Sequence, residues 1–281
     1  MKKIYFGING QFGDIIIQEP TLRKIIKLNP DAEIYIGAYK KYFEILDVYR
    51  NYHENIKGFI EWERYTTRYE KNGDGYWPSE KDKEIIEKIG FDKMYDVSPI
   101  NDSEYVKHRH ITEQFGKMFG IEIDDKKVNL NTPKNIIKEN KSVAISLFPS
   151  DWKTNGIKSL RPEIVNSIVY FLKQKGYTIY HLSGPGEPNV KNTIKIEGNY
   201  IESVYKLLQT EFLITCDTGM AWVASAYNHP TLGMWAWGIN GHASTADNWM
   251  PINPNATYMQ ARLANDINLY SIFDKIKEMI K

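Results

Sequence analysis

The sequence predicts an α/β fold made of two open units, each with a parallel sheet. Strand-like and helix-like segments alternate along most of the chain, which is typical of parallel strands joined by helical crossovers. The alternation begins twice, at the N-terminus and again after a polar stretch at 124–141, which we interpret as a linker. Two such units facing a cleft would hold ligands at the carboxyl ends of their strands.

The composition is that of an ordinary globular protein. The chain has 281 residues, 42% of them hydrophobic and 25% charged, which is enough for one large domain or two ordinary ones. Its 36 Lys and Arg nearly balance its 35 Asp and Glu, so no overall positive field indicates a nucleic-acid ligand. The single cysteine, Cys216, excludes an internal disulfide framework. Without a bilayer-length apolar run or a signal-peptide pattern, we expect a soluble cytoplasmic protein.

The first unit begins with a short buried strand, a glycine loop, a helix and a second strand. Residues 4–8 are apolar and predict the first strand, and Pro20, with helically spaced apolar residues after it, predicts the helix. The segment EIYIGAY predicts the second strand. Residues 59–83 are aromatic, charged and turn-rich, so we expect an insertion or long loop there. HITEQFGKMFGI predicts a short helix that ends near Gly120.

The second unit repeats the alternation. Strands are predicted at SVAISLF, YTIYHL, EFLITC and PTLGMW. RPEIVNSIVYFLKQKG predicts a helix, because its apolar residues share one face and it ends in lysines and Gly176. NYIESVYKLLQ predicts a second helix, in which Asn199 and Glu202 form a capping pair. MAWVASAYN predicts a short helix, and residues 266–281 predict a final one.

The segment GINGQFGD, at the end of the first strand, contains three glycines followed by Asp14. Its G-x-x-G-x-x-G spacing differs from the dinucleotide fingerprint, and it lacks the G-K-[ST] end of the Walker loop. The glycines still predict a tight turn whose backbone approaches a ligand closely. From these residues alone, Asp14 is either the N-cap of the next helix or a catalytic carboxylate.

The triplet Asp217-Thr218-Gly219 lies between a predicted strand and a predicted helix. One such triplet in a chain of this length does not suit an aspartic protease, which needs two carboxylates that share a proton. In a doubly wound unit, Gly219 allows close approach and the helix N-terminus offers N–H groups to a phosphate. Lys158, just before a helix, is either a solvated lysine or a cation that contacts phosphate.

The histidine pattern does not indicate a metal site. Of the six His residues only His108 and His110 are close, as H-R-H, and the chain contains no D-x-D motif. A surface or substrate-contacting role is favoured over metal ligation. Cys216 lies in a predicted strand, which favours a buried structural thiol.

Four segments, taken in order, resemble glycosyltransferase family 9, the heptosyltransferase-like enzymes. GQFGDIIIQEPTLRKIIKLNPDAEIYI resembles the family's opening glycine-Asp segment, and HITEQFGKMFGI its mid-chain His-led helix. KSLRPEIVNSIVYFLKQKGYTIYHLSGPGE resembles its K-x-W-P helix, strand and glycine turn. LLQTEFLITCDTGMAWVASAYNHPTLGMW is similar to its D-[ST]-G-x-x-H segment. The order and spacing match over nearly the whole chain.

The resemblance implies a GT-B glycosyltransferase with two Rossmann-like domains whose parallel sheets face a central cleft. Residues 1–135 would form the acceptor domain, residues 140–265 the nucleotide-sugar donor domain, and residues 266–281 a closing helix. The reaction would invert the anomeric carbon and need neither a cofactor nor an essential metal. The donor would be a nucleotide sugar, and the hydroxyl acceptor a cell-surface glycan, as for lipopolysaccharide heptosyltransferases.

The resemblance also assigns roles to residues by their position. Asp14 matches the family's proposed general base. The candidates for donor binding are Lys158, Ser183, Gly184, Asp217, Thr218, Gly219 and Trp222, and those for acceptor binding are Gln11, Gly13 and His110. Leu160 stands where the family has Trp, and Trp222 where it has His, so a heptose donor is not carried over. Trp222 either stacks on a base or sugar or packs within its helix.

Two other functions are compatible with the same residues. One is glycosyl transfer to modified DNA bases, as in phages, which the Lys-, Ile-, Asn- and Tyr-rich composition permits and the net charge of +1 disfavours. The other is a non-catalytic sugar-nucleotide-binding protein, which is favoured if Trp222 blocks the donor pocket. The sequence does not indicate an oligomeric state.

Overall fold

The structure of the protein is a computed structural model. It describes residues 1–8, 12–39, 43, 53–62, 80–95, 108–131, 133–149, 157–184, 186–236 and 246–280. The chain divides into two compact units, Met1–Asn131 and Thr132–Lys281. Both units are α/β, and in each the described strands form one sheet in which every pairing is parallel. The predicted α/β class with two parallel sheets is therefore confirmed.

The sheet of the first unit has β1 near its middle. Its strands are β1 (Lys3–Gly7), β2 (Glu33–Tyr39), β3 (Ile56–Trp62) and β4 (Lys93–Tyr95), in the spatial order β3-β2-β1-β4. The helices are α1 (Phe12–Ile17), α2 (Glu19–Leu28), α3 (Glu80–Ile89) and α4 (Ile111–Met118). Ile4, Tyr5 and Phe6 of β1 are fully buried. A continuously apolar strand of this kind is expected where a parallel sheet is covered on both faces.

The second unit contains the larger sheet. Its strands are β5 (Ser142–Ser146), β6 (Thr178–Leu182), β7 (Ile194–Ile196), β8 (Phe212–Cys216), β9 (Thr231–Ala236) and β10 (Ala256–Ala261), in the order β10-β9-β8-β5-β6-β7. Its helices are α5 (Pro162–Gln174), α6 (Tyr200–Gln209), α7 (Gly219–Ala226) and α8 (Leu269–Met279), with 3-10 turns at Ala246–Trp249 and Ala264–Asp266. Counted from its own first strand, this is the order 3-2-1-4-5-6 of doubly wound nucleotide-binding sheets.

The helices end at the capping residues that the sequence predicts. Gly120 and Gly176, just after α4 and α5, have positive φ values of 69° and 79°, a conformation that glycine adopts without steric cost. Asn199 caps α6, where its Oδ1 accepts the backbone N–H of Glu202 at 2.9 Å. The predicted ends of α4 and α5 and the predicted Asn199 cap of α6 are confirmed.

The prediction of a loop across 59–83 is wrong at both of its ends. Residues 59–62 belong to β3, which pairs with β2 in parallel and places Phe59 beside Ile36. Residues 80–83 open α3, which packs against β3. Lys57, Gly58 and Glu61 interrupt the apolar pattern, so the strand signal in IKGFIEW merges with the turn-rich residues that follow. Residues 63–79 lie outside the described part of the chain.

The prediction of a polar linker at 124–141 is wrong for its first eight residues. Arg23 and Lys24 of α2 form ion pairs with Asp125 and Asp124, at 2.6 and 2.8 Å. The backbone N–H of Asn129 donates to the buried carboxylate of Glu19 at 2.8 Å. The apolar side chains between these contacts, Val128 and Leu130, are buried. Residues 124–131 are therefore a packed part of the first unit.

The residues after this segment belong to the second unit. Lys138 donates to the carbonyl of Thr210 at 2.9 Å, and Glu139 forms an ion pair with Lys206 at 2.7 Å. The core of the unit is formed by strand residues such as Ile145 and Ile214, together with apolar faces of α5 and α8. None of the helices in the described ranges combines the length and the hydrophobicity that a bilayer span requires.

Candidate functional site

The sheet of the second unit has its topological switch point between β5 and β8. The chain runs from β5 to β6 and β7 on one side, and then returns to β8 and continues to β9 and β10 on the other. At such a point the two crossovers leave in opposite directions and open a crevice at the carboxyl ends of the strands. Ser146 ends β5 and Cys216 ends β8, so the Asp217-Thr218-Gly219 turn begins at this crevice.

The structure brings two predicted donor-binding residues together at this point. The ammonium of Lys158 lies 2.5 Å from the carboxylate of Asp217. Both side chains are partly exposed, 30% for Lys158 and 19% for Asp217, so each is accessible from solvent. The Lys158 ammonium thus lies beside Asp217, directly before the N-terminus of α7, where the helix dipole also favours an anion.

Thr218 is the N-cap residue of α7, but its side chain does not cap the helix. Its Oγ1 lies 2.9 Å from Oγ1 of Thr215 and 3.2 Å from Oγ of Ser146. Gly219 is the first residue of the helix. In this turn the N–H of Ala221 donates to the carbonyl of Thr218 at 3.1 Å. The first N–H groups of an α-helix have no partner within it, so the start of α7, which the Thr218 side chain does not cap, can donate to a bound anion.

The two departures from the family pattern are both buried side chains. Trp222, on α7, is 3% exposed, and Leu160, just before α5, is also 3% exposed. Leu160 belongs to the main core cluster of the second unit. Burial of the indole favours the packing alternative for Trp222 over stacking on a base or sugar.

Ser183 and Gly184 follow β6, on the other side of β5 from β8. A Cβ at Gly184 would lie 2.7 Å from Oε1 of Glu187, so the turn closes tightly around this carboxylate. Oε2 of Glu187 lies 3.3 Å from Nε2 of His181, which is fully buried in β6. This His–carboxylate pair was not predicted, because no motif in the sequence links the two residues and only the path of the chain after β6 brings them together.

Asp14 lies at the corresponding switch point of the first sheet. The chain passes from β1 to β2 and β3 on one side and to β4 on the other, and α1 follows β1. Since α1 begins at Phe12, Asp14 lies in its first turn and not at the N-cap position. The buried Gln18 donates its side-chain amide to the carbonyl of Asp14 at 2.9 Å. This backbone is held firmly, while the Asp14 side chain is only partly buried.

Of the three predicted acceptor-binding residues, the structure describes two. Gly13 precedes Asp14 within α1, and Gln11 lies outside the described residues. His110 is the N-cap of α4, where its Nδ1 accepts the N–H of Thr112 at 3.3 Å. In return, Glu113 accepts the N–H of His110 at 3.0 Å, which completes a capping box with His in place of Ser or Thr. His110 thus has a structural role at the start of α4, which packs against α1 and α2.

The charge of Glu113 is stabilised in this cap. Burial alone would raise the pKa of its carboxyl, but the ammonium of Lys126 at 2.8 Å and the backbone N–H of His110 together lower that pKa. Glu113 is therefore ionised at neutral pH and holds the N–H of His110 as a charge-assisted bond. Among the residues that the structure describes, no three His, Cys, Asp or Glu side chains gather as metal ligands.

No protein-family model matches this sequence, and no curated protein matches it significantly. Similar solved structures include E. coli ADP-heptose LPS heptosyltransferase II, which is 12% identical with a TM-score of 0.72 and covers 99% of this chain and 98% of its own. A family 9 glycosyl transferase from Veillonella parvula is 13% identical with a TM-score of 0.65, covering 99% and 91%. E. coli heptosyltransferase WaaC, solved with ADP, is 12% identical with a TM-score of 0.62, covering 99% of both chains. The chain therefore has the fold of these GT-B glycosyltransferases.

Proposed function

We propose that this protein is a glycosyltransferase that moves a sugar from a nucleotide-sugar donor to a hydroxyl acceptor. The reaction inverts the anomeric carbon and uses no essential metal. The observation that carries the proposal is the position of Lys158, paired with Asp217 directly before the uncapped N-terminus of α7. Support also comes from the fold, which matches heptosyltransferases over nearly the whole chain, among them one solved with ADP.

In this proposal the second unit holds the donor diphosphate. Its leaving group gains negative charge as the bond from the anomeric carbon to the phosphate oxygen breaks. The ammonium of Lys158 and the N–H groups at the start of α7 neutralise that charge, a task that a metal ion performs in other transferases. The nucleoside diphosphate then leaves with the electron pair of the broken bond.

Asp14 in the first unit acts as the general base. Its carboxylate takes the proton of the acceptor hydroxyl while the acceptor oxygen attacks the anomeric carbon from the face opposite the diphosphate. Attack from that face inverts the configuration. The first-turn position in α1 suits a carboxylate, because the helix dipole favours a negative charge there. The fixed carbonyl of Asp14 restricts where the carboxylate can lie.

We propose a glycan as the acceptor. The net charge of +1 offers no general attraction to DNA phosphates, which supply most of the affinity in nucleic-acid binding. The glycan class is suggested by the fold shared with an LPS heptosyltransferase. A DNA acceptor would require binding that weakens steeply with salt, and a measurement of binding to duplex DNA at two salt concentrations tests for it.

Thermal denaturation with a panel of nucleoside diphosphates and nucleotide sugars is the first experiment. A ligand that binds only the folded protein raises the melting temperature, by an amount that grows with the logarithm of the ligand concentration divided by the dissociation constant. The stabilising nucleotide sugar is then incubated with oligosaccharide acceptors, with and without EDTA, and the anomeric configuration of the product is determined by NMR. Binding without any turnover would favour a non-catalytic sugar-nucleotide-binding protein. Loss of turnover in EDTA would overturn the metal-independent mechanism.

A further inference from the structure

Three hydroxyl groups form a continuous chain beneath the start of α7. Thr215, on β8, is fully buried, and its Oγ1 lies 2.9 Å from the carbonyl oxygens of both Ser146 and Cys216. The same Oγ1 lies 2.9 Å from Oγ1 of Thr218, which in turn lies 3.2 Å from Oγ of Ser146. Every oxygen of this chain is within hydrogen-bond distance of the next.

The number of hydrogens fixes the direction of these bonds. Each hydroxyl has one proton and two lone pairs, whereas a carbonyl oxygen can only accept. Thr215 therefore gives its proton to a carbonyl and accepts the proton of Thr218. Thr218 then accepts the proton of Ser146. The Thr218 side chain is held toward the sheet by two bonds, one donated and one accepted.

This arrangement has a consequence for α7. Thr218 has the extended backbone of an N-cap residue, with φ −126° and ψ 162°. A Thr at this position normally accepts an N–H from the first turn of its helix, but the bonds to Thr215 and Ser146 turn the Thr218 side chain away. The first turn of α7 is thereby left without a side-chain cap, although within it the N–H of Ala221 donates to the carbonyl of Thr218 at 3.1 Å.

We infer that Thr215 is a positioning residue, which keeps Thr218 from capping α7 and so keeps the helix N-terminus open to the diphosphate of the ligand. Thr215 itself is buried and acts only through Thr218. The inference rests on the phosphate site of the proposed function, and it assigns a role in that site to a strand residue. It also explains why a hydroxyl is placed inside an otherwise apolar strand, FLITC.

The test is binding of inorganic pyrophosphate and of ADP, measured by calorimetry. Thr215→Val keeps the shape of the side chain but removes the acceptor of the Thr218 hydroxyl. Thr218 can then turn and cap α7, so we expect pyrophosphate and ADP to bind about tenfold more weakly. Thr215→Ser retains the hydroxyl and should bind both ligands as the unaltered protein does. Melting temperatures confirm that each variant is folded.

A double variant separates this mechanism from a general loss of structure. With Thr218→Ala no side chain is left to cap the helix, so adding Thr215→Val should change the affinity by less than about twofold. Thr231→Val is the matched control, because it removes another buried hydroxyl, one that donates to the carbonyl of His229 at 2.8 Å. This control should bind pyrophosphate normally.

The possible results separate a failure of the proposed role of Thr215 from a failure of the phosphate site itself. If Thr215→Val weakens binding as much in the Thr218→Ala variant as in the unaltered protein, Thr215 does not act through the cap and the inference is overturned. Unchanged affinity of Thr215→Val in a protein that binds pyrophosphate overturns the role of Thr215 alone. If the unaltered protein binds neither pyrophosphate nor ADP, the phosphate site of the proposed function fails, and the role of Thr215 fails with it.

Discussion

Lys158 and Asp217 form an ion pair of 2.5 Å at the switch point of the larger sheet. Both side chains remain partly exposed, and an ion pair of this kind contributes little to stability, typically about 0 to 1 kcal/mol. The pair can therefore open at small cost when an anion competes with Asp217 for the ammonium. Its position suits ligand binding better than stabilisation of the fold.

The first prediction concerns the phosphate contact. Lys158→Ala should weaken binding of nucleoside diphosphates about tenfold and leave binding of the matching nucleosides unchanged, because only the diphosphate carries the negative charge. Calorimetry with ADP and adenosine, and with the corresponding uridine and guanosine ligands, measures the difference. Lys275→Ala, which removes an ion pair with Glu278 on α8, is the control. Equal weakening for both classes of ligand would remove Lys158 from the phosphate site.

The second prediction concerns the base. Asp14→Asn should abolish transfer, because an amide cannot take the acceptor proton, while donor affinity stays within about twofold. The expected loss in kcat is about a hundredfold to ten-thousandfold. Asp31→Asn, an exposed carboxylate in the turn before β2, is the control for charge. If transfer and donor binding are lost together, Asp14 has a structural role and the base assignment is wrong.

Central strands were predictable from the sequence, and edge strands were not. The predicted strands β1, β2, β5, β6, β8 and β9 all lie inside their sheets, where burial on both sides gives an apolar run. The missed strands β3, β4, β7 and β10 are the four sheet edges. An edge strand has one unpaired side and more exposed residues, so its pattern is weak. β4 and β7, with three residues each, are too short to show periodicity.

The candidate site was predictable where its residues adjoin a strand end. Asp217 and Thr218 directly follow an apolar strand, so the rule for switch points locates them without knowledge of the fold. Ser146 and Thr215 could have been found by the same rule, as polar residues at the ends of buried strands. The pairing of Lys158 with Asp217, and of His181 with Glu187, depends on contacts between distant segments that no local pattern encodes. His110 was predicted for the acceptor, whereas its capping role depends on the side-chain geometry of α4.

The third prediction tests how closely α4 is packed. A Cβ at Gly116 would lie 2.7 Å from the carbonyl oxygen of Ile121 and against the side chain of Ile123. Gly116→Ala should therefore reduce the free energy of unfolding by about 1–3 kcal/mol, although Ala is otherwise the better helix former. Urea denaturation measures this change. Lys117→Ala, at the exposed neighbouring position, should change it by less than about 0.5 kcal/mol. A Gly116→Ala variant of equal or greater stability would show that the helix can shift to admit the methyl group.

The last prediction concerns pH and stability. Burial, assisted by the charge of Lys138, lowers the pKa of His229 to about 3, from an ordinary value of 6.5. Between these values the unfolded chain binds a proton that the folded protein does not. The contribution of His229 to the free energy of unfolding is therefore complete above about pH 6.5. As the pH decreases below this value, the free energy of unfolding falls by up to about 1.4 kcal/mol per pH unit.

His229→Gln removes this titration, so the stability of the variant should fall less steeply between about pH 6.5 and about pH 4.5. The variant also loses the contact of the imidazole with Thr210, at 3.4 Å, and starts from a lower stability at neutral pH. The quantity to compare is thus the slope of the free energy of unfolding against pH, and not its value at neutral pH. Urea denaturation at several pH values measures this slope. His108→Gln replaces an exposed histidine and should keep the slope of the unaltered protein. Identical slopes for His229→Gln and the unaltered protein would mean that the His229 imidazole takes up its proton without unfolding.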